Sequence, residues 1–247
     1  MTVERASWHL FIGHAIPRIP DFSDNTDASN LGAGGFSPAM GFWWSILWSL
    51  RVRDALQLRG DEKGNTHINY LEFLALIVQL AAAITLYETT DDDLLPPLRR
   101  RFPHGRPSLP VHQLNSDNQV AKSWAAKISS KSLRGQHLVT IWSQLLRRTG
   151  AAINVEYIPG EDNTLADWLF RFFPFLYSPT NPSCLQTLLP DAARRSWVYF
   201  QPSPELLSLL SSKLFCETWP ALPALPSKLG RFEIVDYTTS SFSVATI

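Results

Sequence analysis

Apolar positions recur at helical spacing in several stretches of this chain and crowd into short runs between turn signals elsewhere. Residues 22–28 and 32–37 flank a glycine-rich turn, LGAGG, and read as a β-hairpin. The aromatic run from Phe42 to Leu50 suits a third strand. From Asn69 to Tyr87 the chain reads as a helix, with Asn69 as N-cap and Glu72 three residues on, as in a capping box. Residues 88–109 hold DDD, PP and RRR and read as a solvated loop, and LPVHQLN at 109–115 as a short strand. Val120, Trp124 and Ile128 form one stripe of a helix over Asn118 to Ser130. Leu138, Ile141, Trp142 and Leu145 form another on a helix at 134–148, which Gly150 stops. INVEYI at 153–158 is a strand, and Asp162 to Phe172 a last helix. Strands first, then helices interleaved with two more strands, predict an α/β sandwich around a mixed sheet.

Proline divides the chain. Nine prolines are spread over residues 1–172, and nine more crowd into 173–247. That shift predicts a lead-in at 1–19, a domain over 20–172 and a Pro- and Ser-rich extension over 173–247. One helix near 204–216 punctuates the extension, with Ser203 as N-cap and Pro204 at N1. Hydrophobic residues make up 45%, enough for a core and against wholesale disorder. The 22 basic and 22 acidic side chains cancel, so overall charge nominates neither nucleic acid nor membrane as a partner. Cys184 and Cys216 are too few for a disulfide framework or a cysteine-based zinc cluster, and read as packing thiols. The start, MTVERASWHLFIGH, has no secretory pattern. The longest apolar stretch, Phe73 to Tyr87, falls short of the ~20 residues that span a bilayer and reads as a buried helix. An intracellular protein, cytoplasmic or nuclear, with no membrane partner is the expectation.

Four acids stand at junctions of these elements. Asp27 ends the first strand, Glu72 opens an otherwise apolar helix, Asp117 follows the strand 109–115, and Asp167 lies in the last helix. Packed side by side in one sheet, such ends would bring the carboxylates together, an arrangement that divalent cations neutralise. Each acid also has a plainer reading. Asp27 suits a turn, Glu72 a capping box, Asp117 an N-cap and Asp167 an exposed helical position. Spacing alone leaves both readings open.

The wording of four motifs, in order, weighs on this choice. TDASNLGAGGF at 26–36, INYLEFLAL at 68–76, NSDNQVAKSW at 115–124 and IPGEDNTLADWLFR at 158–171 closely resemble retrotransposon-type ribonuclease H. This is the RNase H-like domain that follows reverse transcriptase in retroelement polyproteins. The resemblance covers residues 20–172, about 60% of the chain. It implies an RNase H-like α/β fold, a five-stranded mixed sheet with flanking helices. It also implies hydrolysis of the RNA strand of RNA/DNA hybrids with two Mg²⁺ or Mn²⁺ ions. Asp27, Glu72, Asp117 and Asp167 match the family's metal-binding acids, and Ser29, Asn69, Asn118 and Gln119 match positions that touch the hybrid. The implied partners are the hybrid and a reverse transcriptase or recombinase module of the same element, of which this chain would be a fragment or remnant. Tyr157 stands where cellular members carry a histidine, ten residues before the last acid. Tyrosine, with a reference pKa of about 10, is the poorer proton shuttle, so modest catalysis is expected.

Residues 118–150 carry Lys122, Lys127, Lys131, Arg134, Arg147 and Arg148 and no acid. This is either a solvated face or a phosphate-tracking one; its nearness to the candidate site favours the second, with Lys127, Lys131 and Arg134 as substrate contacts. The six histidines show no ligand spacing and read as core or surface residues. Trp43, Trp44 and Trp48 read as packing rather than as a base-stacking platform. The leading expectation is a hybrid-specific endoribonuclease. A catalytically silent nucleic-acid-binding or scaffold remnant is the alternative, and a DNA transposase is disfavoured by the TDAS and LAD motifs.

Overall fold

The computed structural model describes residues 18–57, 65–171, 197–216, 218, 221–234 and 245–246. Three strands open the fold: β1 (Phe22–Ala28), β2 (Gly32–Ser37) and β3 (Phe42–Leu47) form an antiparallel meander. A short helix, α1 (Leu50–Gln57), follows where the sequence shows no clear pattern, and then the long helix α2 (Asn65–Glu88). β4 (Val111–Ser116) returns parallel to β1, and β5 (Ala152–Tyr157) lies parallel to β4 at the edge. Between them run α4 (Gln119–Lys127) and α5 (Leu133–Arg148), after a short α3 (Pro96–Arg101). A 3₁₀ turn at Gly160–Asp162 leads into α6 (Thr164–Arg171). The expected α/β architecture with a mixed sheet and flanking helices is therefore present.

The sheet is wider than expected. Its order is β5-β4-β1-β2-β3-β6-β7, seven strands rather than five, and a two-residue β8 (Ala245–Thr246) also pairs with β3. The added strands β6 (Val198–Pro202) and β7 (Gly230–Glu233) come from the proline-rich extension, as does α7 (Pro204–Leu214). They do not hang off the domain. Val198, Tyr199, Phe200, Leu206 and Leu210 are fully buried in the common core. Tyr199 packs on Trp43 with ring centroids 4.7 Å apart and donates its hydroxyl to the Ser45 carbonyl at 2.9 Å. Arg148 pairs with Glu88 and donates to the carbonyls of Pro226 and Ser227, at 2.7 and 2.6 Å. A proline count registers where helices cannot run, but prolines sit comfortably at strand ends and helix starts, as Pro202 and Pro204 do here. The expected boundary at residue 172, and Cys184, lie outside the described residues.

Three local expectations are corrected. Asn69 is not a cap: α2 begins a turn earlier, at Asn65, and Asn69 lies inside it. The helix expected to reach Ser130 ends at Lys127, because Ile128 turns left-handed with φ 49° and its N–H closes on the Trp124 carbonyl. Lys127 and Lys131 consequently share no helix face. The stretch 88–109 is not merely solvated, since Leu94, just ahead of α3, and Leu98, within it, are buried. Arg101 of that helix reaches across to the carbonyls of Pro38 and Ala39, and Gly41 leaves it room, because a Cβ there would meet the guanidinium at 1.8 Å.

Every residue of β2 is buried, so both of its faces are covered, and α2 and α6 both pack on it. α2 is the central helix; Ile68–Glu88 is long and apolar enough to cross a membrane, yet 89% of it is buried inside this protein. Trp43, Trp44 and Trp48 are fully buried. That makes the Trp-rich third strand core, not an exposed stacking surface.

Candidate metal centre

Parallel pairing of β1 and β4 sets Asn25 opposite Asn115. Two residues further on stand Asp27, still in β1, and Asp117, just past the end of β4, so the parallel pairing brings two of the acids to the same end of the sheet. α2 packs across β1 and brings in Glu72, and α6 packs on β1 and β2 and carries Asp167. One carboxylate oxygen each from Asp27, Glu72 and Asp117 lies within 4.8 Å of the others, close enough for one cation to be shared. Asp167 stands at the rim of the same cavity, which measures about 580 Å³ and is also lined by Ala28, Ser29, Asn30, Ile68, Asn118 and Gly160. Four sequence segments predicted separately thus meet at one end of the sheet.

Fixed donors hold the acids. The Ala28 N–H donates to Asp27 Oδ1 at 2.8 Å and to Glu72 Oε1 at 3.2 Å, binding the strand end to α2. Ser116 Oγ donates to Glu72 Oε2 at 3.4 Å and accepts from the Asn118 N–H at 3.1 Å. Asn163, buried ahead of α6, donates its Nδ2 to the Thr26 carbonyl at 2.7 Å, while its own carbonyl accepts the Asp167 N–H at 3.2 Å. The helix of Asp167 is thereby moored to the residue before Asp27. Gly160 lets the loop after β5 close over Asp117, whose Oδ2 would lie 3.1 Å from any Cβ there.

The electrostatics follow from this crowding. Burial, and then the negative charges of Asp117 and Asp167, push the Asp27 carboxyl up to about 8. Burial, with Asp27 and Asp117 beside it, likewise raises Glu72 well above the usual carboxylate range. Neither acid carries its charge comfortably at neutral pH without a cation. A donor set of carboxylate oxygens fits a hard divalent ion, and among the described residues no soft or imidazole ligand joins it. The group could hold a metal ion, and a turn-and-cap reading does not account for three mutually repelling acids in one place.

The other predicted site residues divide. Ser29 and Asn118 line the cavity. Asn69 does not, but its Oδ1 accepts from Asn118 Nδ2 at 2.9 Å and holds that side chain while Asn118 Oδ1 caps α4 on the Ala121 N–H. Gln119 is exposed at the first position of α4. Tyr157, 40% exposed, lies opposite Ser116 at the same end of the sheet but does not line the cavity. Lys127 and Lys131 are exposed and Arg134 half-buried, none of them in the lining. Lys122 is engaged by Glu156 at 2.6 Å, which holds that carboxyl below its ordinary value, and Arg148 is occupied by Glu88 and the extension. The Ala28 amide, Asn30, Ser116, Gly160 and Asn163 were not singled out from sequence. All five stand beside an acid in the motifs quoted above, Ala28 and Asn30 in TDASNLGAGGF, Ser116 in NSDNQVAKSW, and Gly160 and Asn163 in IPGEDNTLADWLFR, and that adjacency could have flagged them. No protein-family model, curated protein or solved structure matches this chain.

Proposed function

We propose that this chain is a ribonuclease H-type hydrolase that cuts the RNA strand of RNA/DNA hybrids, the counterpart of the RNase H-like domain of a retrotransposon polyprotein. The observation that carries the reading is the convergence of Asp27, Glu72 and Asp117, with Asp167 at the rim, from four motifs that resemble that family in order and spacing. The order β5-β4-β1-β2-β3, with antiparallel pairs on one side of β1 and parallel pairs on the other, is compatible with an RNase H-like fold carrying two extra edge strands. Intracellular residence, cytoplasmic or nuclear, belongs to the same reading.

Asp27, Glu72 and Asp117 would hold two Mg²⁺ or Mn²⁺ ions, with Asp167 completing one shell; when bound, such a pair activates water and stabilises the leaving oxygen of a phosphodiester. The chain's own residues do the rest. Ala28 and Ser116 fix the two carboxylates of Glu72 and Asp27 so that little reorganises when a cation and substrate arrive. Ser29 and Asn118, both in the cavity lining, would offer hydrogen bonds to a nucleic-acid backbone, and Asn69 holds the Asn118 side chain in place. Contacts to 2′-hydroxyls across the minor groove would favour the RNA strand. Lys127, Lys131 and Arg134 would track phosphates further along the duplex. Tyr157, opposite Ser116 in the β4–β5 pairing, would assist the departing product.

A cleavage gel on a labelled RNA/DNA hybrid, with Mg²⁺ or Mn²⁺, tests this directly. Metal-dependent cutting of the RNA strand that Asp27→Asn, Glu72→Gln and Asp117→Asn each abolish is the expected result. Cutting that survives these changes, or a parent that neither cuts nor responds to metal, would overturn the reading.

A further inference from the structure

The lip of the acid cavity is a tight connection. Immediately after Asp27 and Ala28, residues Ser29, Asn30 and Leu31 turn the chain from β1 into β2, and Ser29 and Asn30 line the opening. Little of the turn's own chemistry holds it: the Ser29 N–H reaches the Gly32 carbonyl at 2.8 Å, and Ser29 Oγ accepts from Leu31 N–H at 3.1 Å. Asn30 and Leu31 are exposed.

One residue outside the turn grips it at both ends. Trp48, past the end of β3 and only 1% exposed, donates its indole Nε1–H to the Ser29 carbonyl at 2.6 Å and its backbone N–H to the Leu31 carbonyl at 3.0 Å. Gly32 lets β3 come that near, because a Cβ there would lie 2.3 Å from the Ile46 carbonyl. The neighbouring tryptophans are used differently. Trp44 bonds Gln79 of α2 at 2.6 Å, deep in the core, and Trp43 packs on Tyr199. Of the three, Trp48 is the one whose ring donor ends on the cavity's lip.

We infer that Trp48 is a positioning residue for substrate: its indole N–H sets the Ser29–Asn30 lip at the height at which the duplex backbone must lie over the acids. This rests on the nuclease reading above. The Ser29 carbonyl and the lip it carries are three residues or fewer from Asp27, yet the grip falls on the lip and not on the acids, which have the Ala28 amide and Ser116 as their own supports. Loss of the indole donor therefore weakens the seat of the duplex and leaves the metal-binding acids in place. A lost hydrogen bond of this kind changes affinity by about five- to tenfold.

The test replaces Trp48 by β-(3-benzothienyl)alanine, which keeps the bicyclic shape and substitutes sulfur for the N–H, alongside Trp48→Phe. Hybrid-cleavage kinetics and the Mn²⁺-induced rise in melting temperature are measured for each. KM for the hybrid should rise about five- to tenfold in the benzothienyl variant, with kcat within about twofold and the Mn²⁺ response unchanged. A KM equal to the parent's would overturn the positioning role while leaving the nuclease reading intact. An equal fall in kcat and in the Mn²⁺ response would also overturn it, since the indole would then serve the acids or the fold as a whole. A parent that does not cut the hybrid at all removes the nuclease reading, and the inference with it.

Discussion

Ala28 gives one amide proton to two carboxylates, Asp27 and Glu72, and that sharing is what a buried acidic group without a cation can obtain. The consequence is a definite pH dependence. In the unfolded chain Asp27 titrates near 3.8, and in the folded one near 8, so between those values the folded state holds a proton that the unfolded state has lost. Stability of the metal-free protein is therefore highest at the acid end of that window and falls as pH rises through it, by up to about 1.4 kcal/mol per pH unit for a single carboxyl. Glu72 acts in the same direction. Urea melts at pH 5 and pH 8 in a chelator should show the fall. In Asp27→Asn the fall should be shallower and the stability at pH 8 equal to the parent's or higher. The same variant should lose most of the melting-temperature rise that Mn²⁺ gives the parent, because a ligand stabilises only the state that binds it. At the edge of the sheet, Tyr157→His should preserve or raise cleavage near neutral pH, since imidazole titrates there and phenol does not. A hundredfold drop with the fold intact would mean that the phenol has its own task.

Element boundaries were legible only in part. Ser203 caps its helix as expected, with Oγ 3.1 Å from the Leu206 amide. The other two caps are Asn118, where Asp117 was expected, and Ser132, two residues ahead of the expected start at 134, at 2.9 and 3.1 Å from the amides three residues on. Asn118→Ala should cost about 1 kcal/mol in a denaturant melt and free Asn69 as well. The stop at Ile128 was not legible, because a β-branched residue is a poor left-handed cap and nothing local asks for it. α5 must turn back there to pack on α2, and Gly135 admits Ser130, whose Oγ would lie 2.1 Å from any Cβ. Half-exposed Ile128 is accordingly strained: Ile128→Gly should raise stability by up to about 1 kcal/mol. Replacing Lys127, Lys131 and Arg134 with alanine should lower the slope of log affinity against log salt by ~1 for each phosphate no longer neutralised. An unchanged slope would mark these three as a solvated face.

At the scale of the whole molecule the extension is the main surprise. Removal of everything after Arg171 would uncover Phe42 and Trp43, fully buried now, against which Tyr199 and Phe232 pack. Such a truncated chain should lose its cooperative thermal transition, and Tyr199→Phe in the full chain should cost about 1 kcal/mol for the bond to Ser45. Retained cooperativity in the truncated chain would show the extension to be packing on a domain already complete. The sequence by itself determined the alternation of strands and helices, the burial of the long apolar helix and the candidate acids. These are matters of period, side-chain polarity and motif, which are written locally. Only the tertiary structure decided that β6 and β7 widen the sheet, that Asn69 serves Asn118 instead of a helix end, and that Trp48 grips the lip of the cavity. Each of those depends on which backbone groups from remote segments come within hydrogen-bond reach, and no local pattern encodes that distance.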